Sequence, residues 1–142
     1  HKNVDIVNIY GDFLSMCGDF EKALQIETQA IALDPLAAVH YSDFAFLMLL
    51  LNRTDAALEP AQTSSRLAPD TAARHDPLIM TLIRLGRYDK AMEHIRLAEL
   101  KTYVDPGFIY TWWSFLYYQQ GDRENLRKKL EERLEDLNSD SD

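Results

Sequence analysis

Apolar residues along this chain recur at the spacing of amphipathic helices, in eight segments separated by short polar stretches. Most segments end near a glycine, an asparagine or a proline, which are residues that commonly end helices. The predicted helices cover residues 4–16, 21–33, 37–51, 55–67, 71–85, 89–102, 107–120 and 123–137. The pattern therefore predicts an all-α protein of about eight helices, joined in antiparallel pairs by short turns.

A fixed period runs through the turns of these pairs. Gly18, Asn52 and Gly86 lie 34 residues apart, and Gly121 follows after 35. Alanines keep the step of 34, at Ala23, Ala57 and Ala91. Such a period is typical of a solenoid, in which each unit buries its apolar face by stacking on a neighbour. We expect one domain over 1–142, with units at about 4–37, 38–71, 72–106 and 107–138 and a tail at 139–142.

The residues at the turns fit this interpretation. Glycine adopts the left-handed conformation past a helix end without steric cost, and Asn52 is the next best residue there. An acid follows each turn, at Glu21, Asp55, Asp89 and Glu124, where a carboxylate complements the helix dipole. Pro60 and Pro77 should kink or shorten their helices, and Asp76-Pro77 could instead begin a shorter fifth helix.

Composition excludes several classes of partner. The net charge of −8 argues against nucleic acid and against an anionic membrane surface, and the longest apolar run, residues 44–51, cannot span a bilayer. Cys17 is the single cysteine, so no intrachain disulfide can form, which weakly favours the cytoplasm. Because the chain begins at His1 without a methionine or signal pattern, we expect a piece of a longer protein.

The stretch 85–91, LGRYDKA, resembles the turn of the tetratricopeptide repeat family, and 18–23, GDFEKA, is similar to it. Pro35 and Pro69 match the closing proline of that repeat, whereas the fourth unit diverges and is expected to cap the stack. The resemblance implies a right-handed superhelix whose first helices line a concave, protein-binding groove. It also implies no chaperone-tail carboxylate clamp, because no cation remains at the clamp positions and two of them, Asp12 and Asp43, carry acids.

The groove positions of the family, transferred to this sequence, imply a surface that is acidic at one end and apolar elsewhere. The predicted binding residues are Asp5, Asn8, Asp12, Phe46, Leu49, Leu50, Met80, Ile83, Arg84, Phe108, Phe115 and Tyr118. The third and seventh helices are apolar on nearly every side, so something beyond their own partner helices should cover them. That cover is either the chain itself or a bound partner, which could be a second copy. In the second case, Phe46→Glu and Phe115→Glu should disrupt the contact.

The last predicted helix has a stripe of leucines, at Leu126, Leu130, Leu134 and Leu137, among many charged residues. We expect this helix to cap the stack with the leucines turned inward. The alternative is that the leucines pair with a partner helix in a coiled coil.

No pattern indicates catalysis, a metal or a cofactor. The four histidines lack metal-ligand spacing, and His75 is expected to be a surface histidine. The sequence predicts a protein-interaction scaffold that is not an enzyme. The alternative is a regulatory or oligomerisation domain of a larger bacterial signalling protein, such as a transcription regulator or a nucleotide cyclase.

Overall fold

The computed structural model describes residues 2–101 and 104–139, and for residues 2–6 and 8 it describes the backbone alone. Its eight helices are α1 (Lys2–Met16), α2 (Phe20–Leu33), α3 (Ala38–Leu50), α4 (Thr54–Leu67), α5 (Ala72–Arg84), α6 (Tyr88–Glu99), α7 (Pro106–Gln120) and α8 (Arg123–Ser139). No strand occurs in the part of the chain that is described. The prediction of an all-α protein of paired helices is confirmed.

The periodic turns all share one geometry. Gly18, Asn52, Gly86 and Gly121 have φ angles of 78°, 58°, 69° and 71°, in the left-handed region. At each turn, the N–H of this residue and the next N–H donate back to carbonyls of the preceding helix. After α3, for example, Asn52 N donates to Leu49 O at 3.1 Å and Arg53 N to Met48 O at 2.8 Å. This is the Schellman motif, which satisfies carbonyls that the end of a helix leaves unpaired.

The chain forms two compact units, His1–Thr81 and Leu82–Asp142. In the first, α1 packs on α2, α2 on α3 and α3 on α4. Alanines with no exposed surface allow these helices to approach closely, at Ala23, Ala30, Ala45, Ala57 and Ala61. In the second, α6 packs on α7 and α7 on α8, around Ile95, Trp112 and Leu116.

The expectation that the prolines shorten their helices, or that Pro77 begins a shorter one, is corrected here. Pro60 lies inside α4 and Pro77 inside α5, and neither helix is shortened; α5 begins at Ala72 rather than at Asp76-Pro77. Pro77 is fully buried, and burial of its ring offsets the lost backbone hydrogen bond. Among the described residues, no helix is both long enough and apolar enough to cross a membrane.

Candidate interaction surface

Helix α3 is buried on two opposite sides. Its buried residues are His40, Ser42, Ala45, Leu47 and Leu49. Leu47 packs with Leu14 and Ala23, while the backbone of α3 accepts a hydrogen bond from Ser64 of α4, with Ser64 Oγ 2.9 Å from Ala38 O. These contacts explain why the third helix is apolar on nearly every side: neighbouring helices of its own unit cover much of it.

Two rows of side chains on α3 are not fully buried. Tyr41, Phe44 and Met48 form one row and are half-buried, while the second row includes an exposed residue. The second row consists of Val39, Asp43, Phe46 and Leu50, spaced at i, i+4, i+7 and i+11, which places them on the same side of the helix. The first three are half-buried and Leu50 is 58% exposed. We call these four residues the α3 stripe. It presents an acid and then two large apolar side chains along successive turns.

Charged groups from three helices meet at the acidic end of the α3 stripe. Arg74 of α5 lies beside Asp43, with Nη1 3.9 Å from Oδ1. Burial raises the pKa of Asp43 to about 6, which Arg74 partly opposes and the charge of Asp12 on α1 reinforces. Helices α1, α3 and α5 thus contribute charged groups to one electrostatic site.

A buried polar pair lies next to this site. His40 Nδ1 is 3.3 Å from Glu27 Oε2, and Glu27 and His40 are only 2% and 1% exposed. Burial raises the pKa of Glu27 to about 7, reinforced by Asp43 and Asp12, and burial lowers the pKa of His40. Burial thus favours the neutral form of each group relative to its ordinary behaviour in water. His40 Nε2 has no hydrogen-bond partner among the residues that the structure describes.

Sequence reasoning missed Glu27, His40 and Arg74. A signal for Glu27 exists, because it lies four residues after Ala23 and three before Ala30, on the buried side of α2. No local signal marks Arg74, whose partner Asp43 lies on another helix pair.

The predicted binding residues fall into several environments. In the first unit, Phe46 and Leu50 lie on the α3 stripe, Asp12 is exposed on α1 and Met80 is half-buried. The side chains of Asp5 and Asn8 lie outside those that are described. Leu49 is buried, because it lies on the side of α3 that faces the core.

In the second unit, Ile83 is almost completely buried and Arg84 is exposed. Leu49 and Ile83 thus belong to the core, and neither presents its side chain to a partner. Phe108, Phe115 and Tyr118 lie on the more accessible side of α7, whose buried residues are Trp112, Trp113 and Leu116. These three aromatic residues form a surface of the second unit.

His75 has a structural role that differs from the expected surface position. Its ring is half-buried and links α4 to the loop before α5, with Nδ1 2.9 Å from Ser65 Oγ and Nε2 2.9 Å from Pro69 O. Within the described residues, no group of three or more histidine, cysteine, aspartate or glutamate side chains is arranged to hold a metal ion.

Solved structures share this architecture. A structure of MamA superimposes with a TM-score of 0.77 at 21% identity, over 98% of this chain and 81% of that one. A tetratricopeptide repeat protein from Parabacteroides merdae gives 0.78 at 16% identity, over 95% and 52%. The Sgt2 TPR domain from Aspergillus fumigatus gives 0.62 at 15%, over 100% and 85%. The chain has a tetratricopeptide-repeat fold.

No protein-family model matches the chain. At these identities the likeness establishes the tetratricopeptide-repeat fold, and the predicted resemblance is confirmed at that level. Within this fold, α1, α3 and α5 are the first helices of successive repeats.

Proposed function

We propose that this protein is a protein-interaction scaffold, and that the α3 stripe binds a helical segment of another protein. Phe46 and Leu50 would contact apolar side chains of that segment, and a lysine or arginine of the segment would lie beside Asp12 and Asp43. The observation that carries the proposal is the α3 stripe itself, in which Leu50 is 58% exposed and Asp43 lies beside Arg74.

The apolar part of the surface fits a helical ligand. Helices that bind in grooves present anchors at i, i+3, i+4 and i+7, about one turn apart. Phe46 and Leu50 are also one turn apart, so two successive anchors of a ligand helix match their spacing. Leu50, which is more than half exposed, gains burial when such a ligand binds.

The acidic end selects the charge of the ligand. The carboxyl groups of Asp12, Glu27 and Asp43 interact electrostatically, and one guanidinium, that of Arg74, lies beside Asp43. The raised pKa values of Asp43 and Glu27 reflect burial together with mutual repulsion of these acids. A basic side chain of the ligand would relieve that repulsion and orient the ligand, whereas an acidic segment would increase it.

A peptide-library selection on the full chain tests this proposal. We expect enrichment of helical peptides with apolar residues at i, i+3 or i+4 and i+7 and a basic residue at one end. Leu50→Glu and Phe46→Glu should each weaken binding of the enriched peptides at least tenfold, because each places a charge in an apolar contact. Leu97→Glu, at a similarly exposed leucine on α6, is the matched control and should leave binding unchanged. Enrichment of acidic peptides with few apolar residues would contradict the proposal.

The aromatic surface of α7 is proposed as a second contact surface. Phe108, Phe115 and Tyr118 are accessible to different degrees on one helix. Phe115→Glu measured with the same peptides tests it. A loss of binding comparable to that of Leu50→Glu supports a role for α7, and unchanged binding restricts the proposal to the first unit.

A further inference from the structure

Helix α8 packs on α7 through polar and aromatic side chains. Tyr110 of α7 donates a hydrogen bond to Asp136, with Oη 2.5 Å from Oδ2, and this contact raises the pKa of Tyr110 to about 12. Lys129 Nζ and the guanidinium of Arg133 lie 5.3 and 5.4 Å from the centre of the Tyr110 ring. Residues 129, 133 and 136 therefore define the side of α8 that faces α7.

The leucines of α8 lie on a different side, so the expectation that they face the stack is wrong. Leu126 is half-buried, whereas Leu130, Leu134 and Leu137 are 49%, 61% and 47% exposed. Their steps of four, four and three residues place all four on one side of the helix, about a quarter turn from the side that packs on α7. We call these four residues the leucine stripe.

The first half of α8 is basic and the second half is acidic. Residues 123–129 carry four basic residues and one acid, a net charge of +3. Residues 130–139 carry four acids and one basic residue, a net charge of −3. Two copies of α8 side by side in the same direction would place like charges together, whereas opposite directions would pair each basic half with an acidic half.

We infer that the leucine stripe is a self-association surface, on which α8 of a second copy of this chain packs in antiparallel orientation. In this arrangement Leu126 lies opposite Leu137 of the partner copy, and Leu130 opposite Leu134, because the stripe is nearly symmetric about residues 131 and 132. A twofold dimer requires such a self-complementary patch. The pairing of opposite charges fixes the direction, and the inference does not depend on ligand binding at the α3 stripe.

Sedimentation velocity of the full chain over a range of concentrations tests the surface. We expect a monomer–dimer equilibrium that Leu134→Glu weakens at least tenfold, because the substitution places a charge in the apolar contact. Leu97→Glu is the matched control at an exposed leucine of α6, and Phe46→Glu separates this surface from the α3 stripe. Both variants should dimerise like the unchanged chain. A chain that stays monomeric, or a dimer lost in Phe46→Glu but kept in Leu134→Glu, would overturn the inference.

Cross-linking tests the orientation. In a Cys17→Ser background, Arg127→Cys and Asn138→Cys place thiols near opposite ends of the leucine stripe, on the same flank. In an antiparallel dimer, residue 127 of one copy lies almost level with residue 138 of the other copy. The two copies of residue 127 are about 14 Å apart along the axis and the two copies of residue 138 about 19 Å, at a rise of about 1.5 Å per residue. Disulfides should therefore form in a mixture of the two variants and not in either alone. Cross-linking of either variant alone, or none in the mixture, would overturn the inference.

Discussion

Helices α3 and α8 differ in both sequence and surroundings. Residues 44–51, which form the second half of α3 and its C-cap, are all apolar. Helix α3 contacts both α2 and α4. Helix α8 is rich in charge and packs on α7. Five of the 13 residues of α3 are buried, whereas none of the 17 residues of α8 is. The number of neighbouring helices thus corresponds to how much of each helix is buried.

Hydrophobicity alone does not decide which individual side chains are buried. Helix α3 buries the polar His40 and Ser42, and α8 leaves Leu130 and Leu134 substantially exposed. An accessible apolar side chain therefore has a different meaning in each helix. On α3 it lies in a row that neighbouring helices leave partly open, and on α8 it lies beside the contact with α7.

A pair of identical substitutions gives the largest expected difference between the two helices. Leu47→Ala in α3 should cost about 2–5 kcal/mol of unfolding free energy, because Leu47 packs in the core with Leu14 and Ala23. Leu134→Ala in α8 should cost about 0.5 kcal/mol or less at concentrations where the chain is monomeric. Chemical denaturation of both variants measures this. Equal costs would show that α3 and α8 are not distinguished by burial.

The polar pair of Glu27 on α2 and His40 on α3 gives a pH-dependent effect. A native pKa of about 7 for Glu27 exceeds its usual value, so the native state binds the proton more tightly than the unfolded state. The contribution of Glu27 is therefore full below about pH 4.5 and is lost as the pH rises to about 7. Because His40 contributes in the opposite direction, the comparison with Glu27→Gln isolates the effect of Glu27.

Relative to the unchanged chain, Glu27→Gln should gain about 1–3 kcal/mol of stability between pH 4.5 and 7 and stay constant above that range. Denaturation curves of the two proteins at several pH values measure this difference. A constant difference across the range would show that Glu27 has an ordinary pKa in the folded protein.

A smaller effect is expected at the turn that ends α3. This turn has Asn52 where the other periodic turns have glycine. Asn52→Gly should gain at most about 1 kcal/mol by relieving a left-handed φ of 58°. Gly86→Ala, at the equivalent turn after α5, should cost about 1–2 kcal/mol. No heavy atom lies within 4 Å of the added Cβ, so the cost is conformational rather than steric. A neutral Gly86→Ala would show that the left-handed turn is not needed.

Ligand binding at the α3 stripe should also depend on pH. Deprotonation of Asp43, with a pKa of about 6, strengthens its attraction for a basic ligand. We expect the affinity for a selected basic peptide to rise about three- to tenfold from pH 5 to pH 7.5. Fluorescence anisotropy measures this, with Asp43→Asn as the variant that should flatten the profile. A profile that is the same in both proteins would exclude Asp43 as the source.

The repeated turns were the most predictable part of the fold. A left-handed helix end favours glycine or asparagine. Gly18, Asn52, Gly86 and Gly121 therefore predicted the turn within each helix pair close to its observed position. Pro77 was misjudged, because its position within a helix is decided by burial against other elements rather than by local propensity.

The candidate site was predictable in part. The spacing of Phe46 and Leu50 places them on one side of α3, but the sequence could not show that Leu49 turns toward neighbouring helices. The pair of Glu27 and His40 joins two helices, and the ion pair of Asp43 and Arg74 joins two repeats. Such contacts depend on how helices stack, which the pattern within a single helix does not reveal.

The most direct test of the proposed interaction surface is a residue-by-residue map of backbone amide chemical shifts, recorded while a selected peptide is added at constant protein concentration. The account predicts shifts concentrated at the α3 stripe and around Asp12, with the leucine stripe of α8 unaffected. Dilution of the protein without peptide should instead move the signals of residues 126–137. Peptide-induced shifts centred on α8, or none on α3, would contradict the claim that the α3 stripe binds a partner.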